Sequence, residues 1–243
     1  MPRILIAVPV YNEQQYVTRV LSEIRKYAED ILVIDDGSTD RTPALLADQP
    51  VDVIRHAANR GYGRSIRDAF RHAQCYDYEW LITMDCDEQH EPASLPDFYE
   101  AIGQDDADVL SGSRYLSPEL CGDPPPADRR AINGEITRIL NERLCLDITD
   151  AFCGFKAYRV SALTSINLTE PGYASPMQFW VQAVAHGLRV REVPIRLIYN
   201  DPNRSFGGPL DDAEHRRNHY LEVLNAELTR LADRLPTPCH CRD

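Results

Sequence analysis

A chain of 243 residues, 43% hydrophobic and 26% charged, has the composition of a soluble globular protein, sized for one large domain or two small ones and able to bury a core without staples. Its 38 Asp and Glu outweigh 26 Lys and Arg, a net charge of −12, which excludes a nucleic-acid or anionic-membrane partner held by charge alone. No run approaches the ~20 apolar residues that span a bilayer, and seven scattered cysteines, an odd number, point to reduced thiols and a cytoplasmic protein.

The chain reaches Glu13 without a small-residue cleavage site, so no signal peptide is expected. The first half alternates short apolar runs with helical periodicity, the pattern of an α/β fold with a mostly parallel sheet and crossover helices. Residues 4–8 are a continuous apolar strand ending at Pro9. Val17, Val20, Leu21, Ile24 and Ala28 recur at helical spacing, with Asn12 and Gln15 as the expected capping box. Residues 31–34 form a second strand, with Asp35-Asp36-Gly37-Ser38 as the turn at its carboxyl end. Thr42 and Pro43 read as N-cap and first residue of a short helix. Residues 51–54 and 81–84 are further strands, and Ile66, Ala69, Phe70 and Ala73 mark the helix between them. Beyond about residue 113 the pattern loosens. Residues 118–126, with Pro124-Pro125-Pro126, must be a surface loop. Ile132, Ile136, Ile139 and Leu140 resume helical spacing, Ser175-Pro176 opens another helix, 190–198 is a β-type run, and 200–209 is polar and rich in Gly and Pro. Leu221, Leu224, Leu228, Leu231 and Leu235 define a last amphipathic helix that closes the domain, with a homodimer seam or a membrane-surface helix as second readings. A single domain over 1–235 is expected, with a flexible tail over 236–243. Cys239-His240-Cys241 reads as part of that tail rather than as a metal site.

Loops at the carboxyl edge of a parallel sheet line its crevice, so polar clusters at strand ends are where chemistry gathers. Three fall there: Pro9 to Glu13, Asp35 to Ser38, and Asp85 to His90. In the third, a buried-type strand delivers two carboxylates spaced i, i+2 to one loop. Two close carboxylates repel unless a cation sits between them. The oxygen donors Asp85, Asp87 and the Gln89 amide suit Mg2+ or Mn2+ rather than zinc, with waters and substrate phosphates completing the shell. A helix-capping turn is the other simple reading of Asp-x-Asp taken alone.

Together, Val8-Pro9-Val10-Tyr11-Asn12-Glu13, Val33-Ile34-Asp35-Asp36-Gly37-Ser38-Thr39-Asp40, Asn59-Arg60-Gly61-Tyr62-Gly63 and Met84-Asp85-Cys86-Asp87-Glu88-Gln89-His90 follow one another in an order that resembles the family 2 glycosyltransferases of the GT-A fold. Within them the chain is most similar to the dolichyl- and polyprenyl-phosphate mannosyl- or glucosyltransferases. Gly112-Ser113-Arg114-Tyr115 and Asp150-Ala151-Phe152-Cys153-Gly154-Phe155-Lys156 resemble that group as well, so the likeness covers residues 3–200. It implies a GT-A domain with a nucleotide-sugar-binding half over 1–112 and an acceptor-binding half over 113–235. It implies hexose transfer from a nucleotide diphosphate sugar to an acceptor, a polyprenyl phosphate, at the inner face of a membrane. Pro9, Tyr11, Glu13 and Asp36 should contact base and ribose. Asp85 should serve the nucleotide and, with Asp87 and Gln89, hold a divalent metal on the leaving diphosphate.

The residue types agree: Tyr11 offers a ring face, and carboxylates accept ribose and base hydrogens. Asp35 is the member of its pair that only orients the Ser38 turn, and Cys86, where the group carries a small residue, should pack rather than bind. Gly61-Tyr62-Gly63 lacks the third glycine of a dinucleotide fingerprint and serves a tight turn or close approach to the donor. Arg114, Arg129, Arg130 and Arg204 are the candidate cations for acceptor and diphosphate, since a guanidinium donates two parallel hydrogen bonds. Asp87, Asp150 and Arg204 are the candidate catalytic groups. Asp150 is a base, an acceptor-positioning group or a cap of the following turn, and a base, Asp150 or Asp201, is needed only for a hydroxyl acceptor, because a polyprenyl phosphate is already anionic. The group's Arg and Gly-x-Ser-Lys-type stretch corresponds here to Asn203-Arg204-Ser205-Phe206-Gly207-Gly208, without the lysine. Transfer to a soluble hydroxyl, a nucleotide-sugar-binding module and a nucleotidyltransferase of the same fold remain as alternatives.

Overall fold

Strand β1 (Ile4–Val10) is apolar throughout because both of its faces are covered. In the computed structural model, which describes residues 2–120, 125–196, 198 and 205–237, Leu5 and Ala7 enter one core while Ile6, Val8 and Val10 enter another. Strand β2 (Ile31–Asp35) divides in the same way, Leu32 and Ile34 to the first core and Ile31 and Val33 to the second. The second core is closed by α1 (Val17–Ile24), α2 (Thr42–Ala47) and α4 (Leu95–Gly103). The first is closed by α3 (Tyr62–Cys75), α5 (Ala127–Leu144), α6 (Ser175–Ala185) and α7 (Ala213–Arg230).

The sheet has seven strands in the order β3 (Asp52–Arg55), β2, β1, β4 (Trp80–Thr83), β6 (Lys156–Arg159), β5 (Val109–Ser113) and β7 (Val190–Pro194). Every pairing is parallel except those of β6, which runs antiparallel to both β4 and β5. This reversal positions the site. The residues that lead into β6 arrive at the edge where β1, β2, β4 and β5 leave the sheet. Lys156 pairs with Thr83 at the end of β4 and with Ser111 near the end of β5.

Chain-order reading passes over α4, β5 and β6. The last two carry Ser-Gly-Ser and Lys-Ala-Tyr-Arg, so apolar periodicity does not reveal them; pairing with neighbours makes them strands. The expected capping box is absent. Asn12 sits at φ 57° and its side chain accepts the Thr39 amide at 2.8 Å, fixing a neighbouring loop, while α1 starts only at Val17. Thr42 is the first residue of α2 rather than its N-cap, a place taken by Arg41, and its amide donates to Asp40 at 2.8 Å. The leucine face of α7 is used inside the chain: Leu224 and Leu228 are buried in the first core and Leu221 packs on it. The expectation of reduced thiols fails at Cys145, which is disulfide-bonded, and holds for Cys75, Cys86 and Cys153. The expected tail falls largely, and Cys239, His240 and Cys241 entirely, outside the described residues. No helix among the described residues is long and apolar enough to cross a membrane.

Candidate active site

One cavity of about 800 Å³ opens at the carboxyl edge of the sheet. It draws its lining from all three of the predicted loops: Pro9, Tyr11 and Glu13 after β1, Asp36 after β2, and Asp85, Asp87 and Gln89 after β4. Tyr11 is 44% exposed, so its ring is not packed as a helix-entry aromatic and presents a face to the cavity. Asp36 is buried and heavily engaged. Its carboxylate accepts the Arg60 amide at 2.7 Å, the Gly61 amide at 2.8 Å and a His56 ring nitrogen at 2.6 Å. Asp36 thus ties the end of β2 to the loop that enters α3 while still facing the cavity. Asp35 accepts the Ser38 amide at 2.8 Å and pairs with Arg55 at 3.1 Å, the orienting part expected of it.

Gly61, just before α3, has φ 96°, in keeping with the tight turn expected of it; a Cβ there would run into the carbonyl of Pro171, and the residue lines the cavity. Tyr62, between the glycines, is a cavity residue that sequence reasoning missed. Burial and the nearby Asp85 carboxylate push its hydroxyl well above the ordinary tyrosine pKa. Both groups crowd Gly154, where a Cβ would lie 2.5 Å from Asp85 Oδ2 and 2.8 Å from the Tyr62 hydroxyl. Any larger residue at 154 would have to push this carboxylate or the Tyr62 hydroxyl aside.

Asp85 carries the clearest sign of a missing ligand: its Oδ1 is buried and has no hydrogen-bond partner. The Asp85 amide donates to His90 Nδ1 at 3.0 Å, and Asp87 Oδ1 accepts the Gln89 amide at 3.1 Å, so the loop holds its own shape. Cys86 is 2% exposed in the second core, packed as expected. Among the described residues no three His, Cys, Asp or Glu side chains converge into a cation site by themselves. The oxygen donor set and the orphaned oxygen fit a hard cation that takes one or two carboxylates from the protein and the rest from phosphate and water.

The other wall comes from the second half of the chain. Arg114, just after β5, makes a two-pronged pair with Asp150, Nε to Oδ2 at 2.6 Å and Nη2 to Oδ1 at 2.9 Å. Asn133 donates to Asp150 Oδ1 at 2.8 Å, and the Phe152 amide does so at 3.2 Å. Burial alone would raise the Asp150 carboxyl, but Arg114, Asn133 and the nearby Lys156 hold it well below the usual carboxylate range. Of the three readings of Asp150, the turn cap is present in the Phe152 amide bond, and the base fits poorly, because a carboxylate this well solvated by donors, and absent from the cavity lining, is a poor proton acceptor. Its work is to hold Arg114, which does line the cavity. Arg129 also lines it, whereas Arg130 is turned away, stacked on the Tyr115 ring at 3.6 Å and lining a separate surface hollow. Arg204 and Asp201 lie outside the described residues.

Two further cations belong to the cavity and were not foreseen. Lys156 is 4% exposed and donates to the Cys153 carbonyl. Burial lowers its pKa, against the raising influence of Cys153 and Asp150. Arg216 on α7 is 3% exposed and reaches the same space. Lys156 could have been found as the sole lysine of the Asp150–Lys156 segment, but nothing in the helical spacing of α7 marks Arg216.

The sequence pattern of Glycosyl transferase family 2 matches residues 5–166, two thirds of the chain. The chain is a family 2 glycosyltransferase. It is 29% identical over 213 residues to undecaprenyl-phosphate mannosyltransferase of Micrococcus luteus, covering 84% of this chain and 86% of that protein. It is 30% identical over 205 residues to polyprenol monophosphomannose synthase of Mycolicibacterium smegmatis, covering 79% and 76% respectively. The glycosyltransferase also superposes on glucosyl-3-phosphoglycerate synthase of Mycobacterium tuberculosis, solved with Mn2+, UDP and glucosyl-3-phosphoglycerate. That match has a TM-score of 0.70 and 17% identity over 97% of this chain and 81% of that one. It establishes the GT-A fold. Gly154, Lys156 and the Asp150–Arg114 pair bring the motif segment before β6 onto the wall that Asp85 faces, which the order of motifs along the chain could not show.

Proposed function

We propose that this family 2 glycosyltransferase moves a hexose from a nucleoside diphosphate sugar to the phosphate of a polyprenyl phosphate, with Mg2+ or Mn2+ at the donor diphosphate. The observation that carries this reading is one cavity lined both by a buried Asp85 oxygen without a partner and by the cations Arg114, Arg129, Lys156 and Arg216. Tyr11 would stack on the base, with Pro9, Glu13 and Asp36 around base and ribose. Asp85 and Asp87, oriented by Gln89, would hold the metal; when bound, it supplies Lewis-acid stabilisation of the leaving diphosphate. Residues 1–112 provide most of the donor side and 113–235 most of the acceptor side. One structure of the solved glucosyl-3-phosphoglycerate synthase holds Mn2+ and UDP, and another holds Mg2+ and UDP, in support of the donor and metal.

Support for a phosphate acceptor comes from the acid–base chemistry. A hydroxyl needs a carboxylate free to take its proton. Asp150 is occupied by Arg114 and Asn133, while the cations of the cavity suit an acceptor that arrives anionic. The polyprenyl-phosphate enzymes among the relatives point the same way. Such an acceptor would be met at the cytoplasmic face of a membrane by a peripheral protein.

The test uses a panel of UDP- and GDP-hexoses with Mg2+ or Mn2+, first by thermal shift and then by product formation on farnesyl phosphate or on soluble hydroxyl acceptors. A ligand that binds only the folded state raises its melting temperature. Sugar on farnesyl phosphate, with nucleoside diphosphate released, is the expected result. Product on the hydroxyl acceptors alone overturns the acceptor, and pyrophosphate released from a nucleoside triphosphate overturns the reaction.

A further inference from the structure

A guanidinium as deeply buried as that of Arg216 needs its charge and hydrogens accounted for. Its Nη2 donates to Asp128 at 2.6 Å and its Nη1 to the Leu210 carbonyl at 2.7 Å, which fixes the plane of the fork. The face of that plane lies against the Phe206 ring, 4.6 Å from its centroid. Arg129, from α5, lies against the same ring at 4.4 Å, and Tyr173 meets it edge-on at 5.4 Å. Arg129, Arg216, Phe206 and Tyr173 all line the cavity. Two cations from different helices thus converge on one uncharged ring inside a binding space.

An aromatic face attracts a guanidinium, but more weakly than a phosphate that accepts its hydrogen bonds. The ring sits on a braced turn. Asp211 gathers the turn by accepting Ser205 Oγ at 2.7 Å, the Phe206 amide at 2.8 Å and the Gly207 amide at 3.2 Å. Gly207 and Gly208 follow at φ 89° and 61°, with open space around both. Asp211 lies beyond the two glycines, so its bonds brace the turn across them, and Phe206 leaves its place by rotation of its own side chain, which no hydrogen bond holds.

We propose that Arg129 and Arg216 form one clamp for a phosphomonoester, and that Phe206 fills the clamp until that phosphate displaces it. The proposal rests on the reading that the acceptor carries a phosphate, and it adds where that phosphate is held and what must move. The ring covers the two cations, buried Arg216 and half-buried Arg129, while the acceptor is away, and it has to rotate out before a phosphate can reach both.

Binding of farnesyl phosphate, inorganic phosphate and farnesol, each without donor, is measured by calorimetry on the wild-type chain and on Phe206→Ala, Arg129→Gln and Arg216→Lys. Removing the competing ring in Phe206→Ala should tighten farnesyl phosphate and inorganic phosphate by about tenfold and leave farnesol unchanged. Arg129→Gln should weaken both phosphates by tenfold or more, and Arg216→Lys should do the same. If Arg216→Lys fails a melting check, Arg129→Gln carries the test. Phosphate affinity unchanged in Phe206→Ala, or unchanged in Arg129→Gln, overturns the clamp. If farnesyl phosphate is nevertheless glycosylated, the acceptor reading stands while the clamp falls. If inorganic phosphate responds to the variants but no prenyl phosphate is glycosylated, the clamp stands for a soluble phosphate ester and the lipid reading falls.

Discussion

At the proposed donor end of the cavity, polar side chains are fixed by backbone amides: Asn12 by Thr39, Asp36 by Arg60 and Gly61, Asp87 by Gln89. At the proposed acceptor end, charges are fixed by other side chains far along the chain. Arg114 meets Asp150 36 residues on, and Arg216 meets Asp128 88 residues back. An amide is present whatever the residue, so the first arrangement needs only a loop shape and tolerates side-chain loss. The second fails when either partner changes, because a buried charge is then left alone. Donor-end substitutions should therefore remove activity and spare the fold, and acceptor-end substitutions should remove both.

The largest effect is expected for Asp87→Ala, with transfer falling about a thousandfold or more as several kcal/mol of charge stabilisation are lost. The melting temperature should stay near that of the wild type. Near-normal turnover with added Mn2+ would remove the metal assignment. At the acceptor end, Asp150→Ala should cost about 3–5 kcal/mol of unfolding free energy in denaturant titrations, since Arg114 is left buried and unpaired. Arg114→Met placed in the same chain should recover part of it; no recovery means the two are not coupled. The pair also sets an acid limb. The Asp150 carboxyl is held below its unfolded value, so its stabilisation is complete at neutral pH and drains away as pH falls below about 4. Asp150→Asn should flatten that limb, and an unaltered pH profile of stability would contradict the assignment.

Gly154→Ala sharpens the comparison, because a second-half residue here supports a donor-end carboxylate. Its Cβ would fall 2.5 Å from Asp85 Oδ2, and displacement of that group by about 1 Å should lower kcat about a hundredfold. Full activity would mean Asp85 has room to shift. The smallest effect belongs to Tyr11→Ala. With the ring already 44% exposed, stability should hold within about 0.5 kcal/mol while donor KM rises roughly tenfold, as loss of a stacking face predicts.

The same contrast explains what could be read from the sequence. The alternating apolar runs locate β1, β2 and β4 and the crossover helices, because a strand buried on both faces has to be apolar at every position. The clusters after those strands are legible because the loops that carry them are local. Strand β6 is hidden, since its Lys and Arg become strand residues only by pairing between β4 and β5. Arg216 and Phe206 are hidden for a related reason: α7 and the turn before it acquire meaning only when α5 is packed alongside. Asp150 stays open among three readings in the sequence, because its chemistry is decided by Arg114 and Asn133, which no local spacing connects to it.

Strand β4 has one flank on β1, available at once, and one on β6, which the ribosome makes about 70 residues later. All four of its residues, Trp80 to Thr83, are buried in the finished protein. At ordinary synthesis rates that second flank stays bare for roughly 4–14 s, an apolar strand edge of the kind that recruits other chains. Asp85 and Asp87 at its end thus come at the cost of a nascent-chain liability, and the first 112 residues alone would leave one flank of β4 bare. A fragment or fusion built from this protein has to carry the chain through Arg159 before β4 is covered on both sides.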